Sequence, residues 1–299
     1  MKIHSVFAAV GALASSLVLA PVAWAQDGPD LSGLPVIGKP VEGGIGFQPA
    51  ATSLARDIHW LDSFILVIIT VIVLFVTALL AWVVVRYNRR ANQEPATFTH
   101  NSTVEVAWTL VTILILIVIG SISLPTLFNQ HEIPEADVTV KATGNRWYWS
   151  YEYPDNDVSF DSYMLGAGKA EMDDEVRAEL AEYGYSEDEW LLATDTAVVV
   201  PVNKVVRLQV AAGDVIHSWT IPAFGVKIDA VPGRLNETWF RAEEEGVYFG
   251  PCSELCGMYH AYMPITVKVV SETQDAQWIE SQGGTVAGLP TELKVAEAN

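Results

Sequence analysis

Two long uncharged runs decide most of what this chain can fold into. From Phe64 to Val85 every residue is apolar except Thr70 and Thr77, and a second run extends from Val106 to Leu124 and stops at Pro125. At about 1.5 Å rise per residue, each run can cross a hydrocarbon core of roughly 30 Å as a helix. Two such runs separated by a basic loop argue against core helices of a soluble domain. The loop carries Arg86, Arg89 and Arg90, and positive charge marks the cytoplasmic side. The sequence therefore predicts a helical hairpin, residues 60–129, with its turn inside. Trp60, Trp82 and Trp108 stand near the ends of the runs, where an aromatic belt is expected.

The N-terminus requires the same topology independently. Lys2 and His4 precede the apolar stretch Val6 to Ala20, and Ala23-Trp24-Ala25 follows. This is the pattern of a secretory signal cleaved after Ala25, so residues 1–25 are set aside from the fold. Residues 26–59 then form an extended arm. Asp27 to Ser53 is rich in Gly and Pro and lacks periodicity, as expected of a segment lying on a partner or at the membrane face. The hydrophobic fraction is 51%, yet the formal net charge is −19. Apolar spans joined to a strongly acidic outer domain account for both. Such a charge argues against nucleic acid as a partner and favours a basic protein met through long-range steering.

Beyond Ile133 the pattern shifts to short strands. Val138 to Ala142 alternates, Arg146 to Tyr153 is aromatic and strand-like, and Ala197 to Val202, Val205 to Val210, Thr238 to Arg241 and Ile265 to Val270 follow. Short strands at regular spacing predict an all-β sandwich or barrel over residues 130–272. Gly168 to Trp190, acidic and rich in Ala, Leu and Glu, reads as a helical insertion between strands. The tail, 273–299, begins with a short helix around Trp278 and ends in polar residues. No internal repeat is present.

Both cysteines of the chain lie in Cys252-Ser-Glu254-Leu-Cys256-Gly-Met-Tyr-His260-Ala-Tyr-Met263. In an exported protein two cysteines this close can form a disulfide, and a cysteine pair followed by histidine can hold zinc. Thiolate, imidazole and thioether together, however, are the donors that soft copper prefers. A mononuclear blue site needs one cysteine; two offer sulfurs able to bridge a pair of coppers. A second histidine is available in Asp214-Val-Ile-His217-Ser-Trp219. The residues point to electron transfer through a copper pair.

Taken together, the hairpin, the acidic β-domain and this loop resemble subunit II of the haem-copper cytochrome c oxidases, in the bacterial form close to the mitochondrial one. The resemblance runs from Leu34-Pro-Val-Ile-Gly to about Val270. It rests on Arg86-Tyr-Asn-Arg89-Arg90, Phe98-Thr-His100-Asn, Glu105-Val-Ala-Trp108-Thr, Trp147-Tyr-Trp149-Ser-Tyr-Glu152-Tyr-Pro, His217-Ser-Trp-Thr-Ile-Pro222, Asp229-Ala-Val-Pro-Gly-Arg234 and the cysteine loop. It implies a cupredoxin-like Greek-key sandwich holding the dinuclear copper centre CuA. Cys252 and Cys256 would bridge the coppers, His217 and His260 cap them, Met263 bind weakly, and the Glu254 carbonyl complete the set. Trp219, Phe224 and Tyr262 would shield it. The Glu254 carboxylate would bind Mg2+ shared with subunit I. Trp147 would take the electron from cytochrome c, docked by Glu152, Asp161, Asp195 and Asp214. Glu105 would stand at the cytoplasmic mouth of a proton pathway. The resemblance further implies electron delivery to haem in subunit I, where oxygen is reduced to water with proton pumping. A third subunit is an expected neighbour, and the bacterial inner membrane the expected location, with the mature N-terminus and the C-terminal domain in the periplasm. A quinol-oxidase subunit II would lack the copper ligands, and the copper domain of nitrous oxide reductase would lack the hairpin.

Overall fold

The computed structural model describes residues 28–169 and 171–286. The expected signal peptide and the polar end of the tail lie outside them. The two apolar runs fall in long helices, α1 (Ser53–Arg86) and α2 (Ser102–His131). Both exceed the uncharged runs because their ends are built by capping. Thr52 accepts from the Ala55 amide at the start of α1. Asn101 accepts from the Val104 amide at the start of α2, while Glu105 Oε1 accepts from the Asn101 amide at 3.1 Å. This reciprocal pair satisfies amide donors that a helix start leaves open. Pro125, expected to end the second span, lies inside α2, which continues for six further residues. The apolar side chains of both helices face outward, as a lipid solvent requires.

Among the described residues eleven strands make up the β-part, with β1 (Val36–Gly38) contributed by the arm. After the hairpin come β2 (Val138–Asn145), β3 (Tyr148–Tyr153) and β4 (Val158–Ser162). The insertion follows, with α3 (Asp174–Glu182) and a 3-10 turn at Glu187–Glu189. Then come β5 (Val198–Pro201), β6 (Val206–Ala212), β7 (His217–Ile221), β8 (Val226–Ala230), β9 (Asn236–Phe240), β10 (Gly246–Gly250) and β11 (Ile265–Val270). The helix expected around Trp278 is α4 (Glu272–Ser281). One sheet has the order β1-β10-β11-β5, a second β4-β3-β2-β6-β9, and β7 pairs with β8 between them.

Period-two alternation places the core. On β2, Val140, Ala142 and Gly144 point inward; on β3, Trp149, Tyr151 and Tyr153; on β6, Val206, Leu208 and Val210. Successive side chains on a strand take opposite faces, so one face of this sheet enters the core and the other carries Lys141, Ser150 and Glu152. The aromatic residues bring polar atoms with them, and most find partners. Trp219 Nε1 donates to Tyr151 Oη at 3.3 Å, and Tyr153 Oη donates to the Val199 carbonyl at 2.9 Å.

The arm departs from expectation. Over Val36–Gly38 it lies on this chain's own sheet, pairing parallel with β10. The insertion has its own small apolar cluster of Leu165, Val176, Leu180, Ala193, Val247 and Phe249, against which Leu34 of the arm packs. Lys39 of the arm pairs with Asp188 beside it.

Candidate metal centre

The ligand candidates arrive on two elements. His217 opens β7, and the loop between β10 and β11 carries the rest. Ser253 N donates to the Ser218 carbonyl at 3.0 Å, which ties that loop to β7. Cys252, Cys256, His217 and Met263 are all buried. The ligand atoms of His217, Cys252 and Cys256 lie within 4.8 Å of one another. Cys252 Sγ is 4.0 Å from His217 Nδ1 and 4.0 Å from Cys256 Sγ. Cys256 Sγ is 3.6 Å from His260 Nδ1 and 3.5 Å from Met263 Sδ. Cys252 Sγ donates to the Glu254 carbonyl at 3.4 Å.

A disulfide has its sulfurs about 2.05 Å apart, so the 4.0 Å pair is two free thiols. Two thiols, two imidazoles, a thioether and a carbonyl therefore face one small volume. This donor set fits a soft or borderline transition metal. It does not suit a hard cation, which takes oxygen ligands. The thiols differ in acidity. Burial would raise Cys252, but hydrogen bonds with His217 and with backbone groups of Glu254 and Ser218 bring it below the ordinary thiol range. Burial, reinforced by Cys252 beside it, pushes Cys256 above that range.

The polypeptide fixes the His217 ring from several sides. A Cβ on Gly144 would lie 2.8–2.9 Å from its Cδ2, Cγ and Cβ, so β2 can pass there only as glycine. Trp149 meets the ring edge-on at 6.0 Å. Nε2 lies 2.9 Å from Asp214 Oδ1, and Asp214 Oδ2 accepts from Arg146 N at 2.9 Å and from Nε at 3.1 Å. Burial acts to raise Asp214, but these partners outweigh it and hold the carboxyl at about 2. A carboxylate on the far nitrogen of a ligating histidine sets its tautomer and orientation. The contacts of Gly144 and Asp214 with His217 were not legible in the sequence. The only hint is that Asp214 precedes His217 by three residues.

The family model for the periplasmic domain of cytochrome c oxidase subunit II matches residues 138–270, and that for its transmembrane domain matches residues 40–126. The chain belongs to the cytochrome c oxidase subunit II family. Cytochrome c oxidase subunit 2 of Cereibacter sphaeroides is 61% identical over 277 residues, covering 91% of this chain and 90% of that protein. A probable cytochrome c oxidase subunit 2 of Rickettsia bellii is 43% identical, covering 83% and 88%. The crystal structure of the periplasmic domain of subunit II of cytochrome oxidase from Bradyrhizobium japonicum is 48% identical. It covers 51% of this chain and 97% of its own, with a TM-score of 0.43. The two family matches fall on the two membrane-type helices and on the cupredoxin-like β-domain.

The other expected site residues fall as follows. Trp147 is half-buried beside the cysteine loop, with Nε1 donating to the Cys256 carbonyl at 3.3 Å. Glu254 is exposed while its carbonyl faces Cys252. Glu152 pairs with Lys141 at 2.7 Å across β2 and β3. Asp161 accepts from Ser150 Oγ at 2.6 Å, and Asp195 accepts from the Tyr163 amide at 2.8 Å. Glu105 lies far along the chain from these, at the start of α2.

Proposed function

We propose that this subunit II is the electron-entry subunit of a cytochrome c oxidase, taking electrons from cytochrome c and passing them to haem in subunit I. The observation that carries the reading is the convergence of Cys252, Cys256, His217, His260 and Met263 with the Glu254 carbonyl, next to a half-buried tryptophan. A dinuclear copper centre, when bound, supplies a one-electron redox couple shared over two metals.

This chain's residues do the rest. Cys252 and Cys256 would hold the coppers through their sulfurs, His217 and His260 would each offer one Nδ1, and the buried setting excludes water. Asp214 and Trp149 hold the His217 ring in one orientation, which would limit its reorganisation when a bound metal changes charge. Trp147 reaches from the surface to the Cys256 carbonyl and gives the electron a short covalent and hydrogen-bonded route inward. Glu152, Asp161, Asp195 and Asp214 attract a basic cytochrome c. The exposed carboxylate of Glu254 suits Mg2+, with the remaining ligands on subunit I. Glu105 opens a proton pathway on the cytoplasmic side. The oxygen chemistry and the coupled proton pumping belong to the assembled complex in the inner membrane.

Metal analysis and EPR of the full chain test the reading. Two coppers per chain, with hyperfine structure from an electron shared by both nuclei, are expected. A single copper with the hyperfine structure of one nucleus, or a metal-free disulfide, would overturn it.

A further inference from the structure

Trp147 packs against the main core, and the metal-binding loop meets it at three further points. The Cys256 carbonyl accepts from Nε1 at 3.3 Å. Gly257, at φ +123°, leaves bare backbone beside the indole, and a Cβ there would lie 3.2 Å from Cζ2 and 3.4 Å from Nε1. Tyr259 packs edge to face with the indole, with centroids 4.9 Å apart and planes at 74°. Tyr259 is itself braced by Tyr262 at 6.0 Å and 78°, and 39% of it remains exposed.

We infer that Tyr259 is a positioning residue for electron entry. It clamps the indole of Trp147 onto the Cys256–Gly257 backbone and keeps the hydrogen bond to Cys256 made. The inference rests on reading Trp147 as the entry point. A hydrogen bond of 3.3 Å at a half-exposed site is too long and too wet to fix a tryptophan alone. An edge-to-face aromatic pair shifts such an equilibrium by roughly 2- to 12-fold, enough to decide how often the indole is seated. Tyr259 is neither oxidised nor reduced. One electron passes from the ferrous haem of cytochrome c into the centre, and the tyrosine only sets the geometry of its route. The hydroxyl is therefore dispensable and the ring edge is not.

The test uses the assembled oxidase with Tyr259→Ala, Tyr259→Leu, Tyr259→Phe and Trp147→Gln. The rate of electron injection at saturating reduced cytochrome c, the KM and the copper absorption spectrum are measured for each. Tyr259→Ala and Tyr259→Leu should slow injection by roughly 2- to 12-fold with KM and spectrum unchanged, and Tyr259→Phe should restore it. Wild-type injection in Tyr259→Ala would refute the clamp. So would a slow Tyr259→Phe, which would make the hydroxyl the active group. A change in KM alone would make Tyr259 a docking residue, and a changed spectrum would make it loop scaffold; either result also refutes the clamp. Slow injection in Trp147→Gln alongside normal Tyr259 variants would refute only the clamp. Wild-type injection in Trp147→Gln would remove the entry reading itself.

Discussion

Adding one methyl group at Gly144 should test whether the strand behind His217 sets the metal ligand. Gly144 lies in the middle of the sheet, opposite Trp149 on β3 and Ala212 on β6. Its backbone is ordinary β-conformation, so alanine brings no torsional strain. The penalty is steric alone: the new Cβ would meet three atoms of His217 at 2.8–2.9 Å, about 0.5 Å inside ordinary contact. Neither partner yields easily. The ring is held by Asp214 and Trp149, and β2 is hydrogen-bonded on both edges. Overpacking of this kind costs about 1–3 kcal/mol, or roughly 2–12 °C of Tm for a domain of this size. A shift of about 0.5 Å in a ligand reaches the tolerance of a functional site, and disturbing what orients a metal-bound histidine lowers affinity by about 10- to 100-fold. Gly144→Ala should therefore lose both stability and copper affinity, measured by thermal melting and by copper competition on the full chain. Gly120→Ala, on α2 with nothing within 4 Å of the new Cβ, serves as the control. Normal affinity with a lowered Tm would mean the backbone moves and the ring does not. Normal values of both would refute the reasoning.

Cys256→Ser should abolish copper binding, whereas Met263→Leu should retain both coppers and change the redox potential, read by EPR and potentiometry. Trp147→Gln should slow electron entry severely while the affinity for cytochrome c, read by a binding titration, stays near normal. The KM for cytochrome c should rise with ionic strength, because screening sets in over about 10 Å at 0.1 M salt. Neutralising Glu152 should flatten that dependence more than neutralising Asp174 of the insertion does. Burial, with Glu272 adding to it, lifts the carboxyl of Asp275, in the first turn of α4 near Tyr153, to about 7. Above its unfolded pKa the native state therefore binds more protons, so the contribution of Asp275 to stability falls as pH rises from about 4 to 7. Asp275→Asn should remove that slope from a pH series of thermal melts.

The spans and the strands β2, β3, β5, β6, β9 and β11 were readable from residue types, and the Cys, His and Met side chains stood out as candidate metal donors, because each follows a local rule; β1, β4, β7, β8 and β10 were not read, and the Glu254 carbonyl entered only through the family resemblance. Uncharged length gives a span, alternation gives a half-buried strand, and soft donors give a metal. What the sequence did not disclose are pairings between distant segments. The arm lacks strand periodicity, and three residues suffice to pair with β10 because the sheet edge supplies the register. Asp214 reads as one of many surface carboxylates until β7 and the chain before β3 bring His217 and Arg146 to either side of it. Pro125 reads as a stop, yet α2 runs through it and is secured beyond, where Trp239 Nε1 donates to the Asn129 carbonyl at 3.2 Å.

The same short strand links the metal site to the membrane. β7 begins at the proposed ligand His217 and ends at Ile221, only about 13 Å away at roughly 3.3 Å per residue. The turn that follows places the Phe224 carbonyl to accept from Thr52 Oγ1 at 2.7 Å, and Thr52 is the N-cap of α1. The Ala223 carbonyl accepts from the Ala51 amide at 2.8 Å, and Arg56 in the first turn of α1 forms a two-pronged pair with Glu243 at 2.8 and 2.9 Å. Phe224 is in turn wedged between Phe240 and Tyr248 in the core. A membrane helix attached only by a flexible linker would leave the metal site free to change height and tilt above the bilayer. Fixed at its cap, its first turn and the buried ring of Phe224, α1 holds the candidate donors at a set place relative to the membrane, as the proposed electron transfer into a membrane-embedded partner would require.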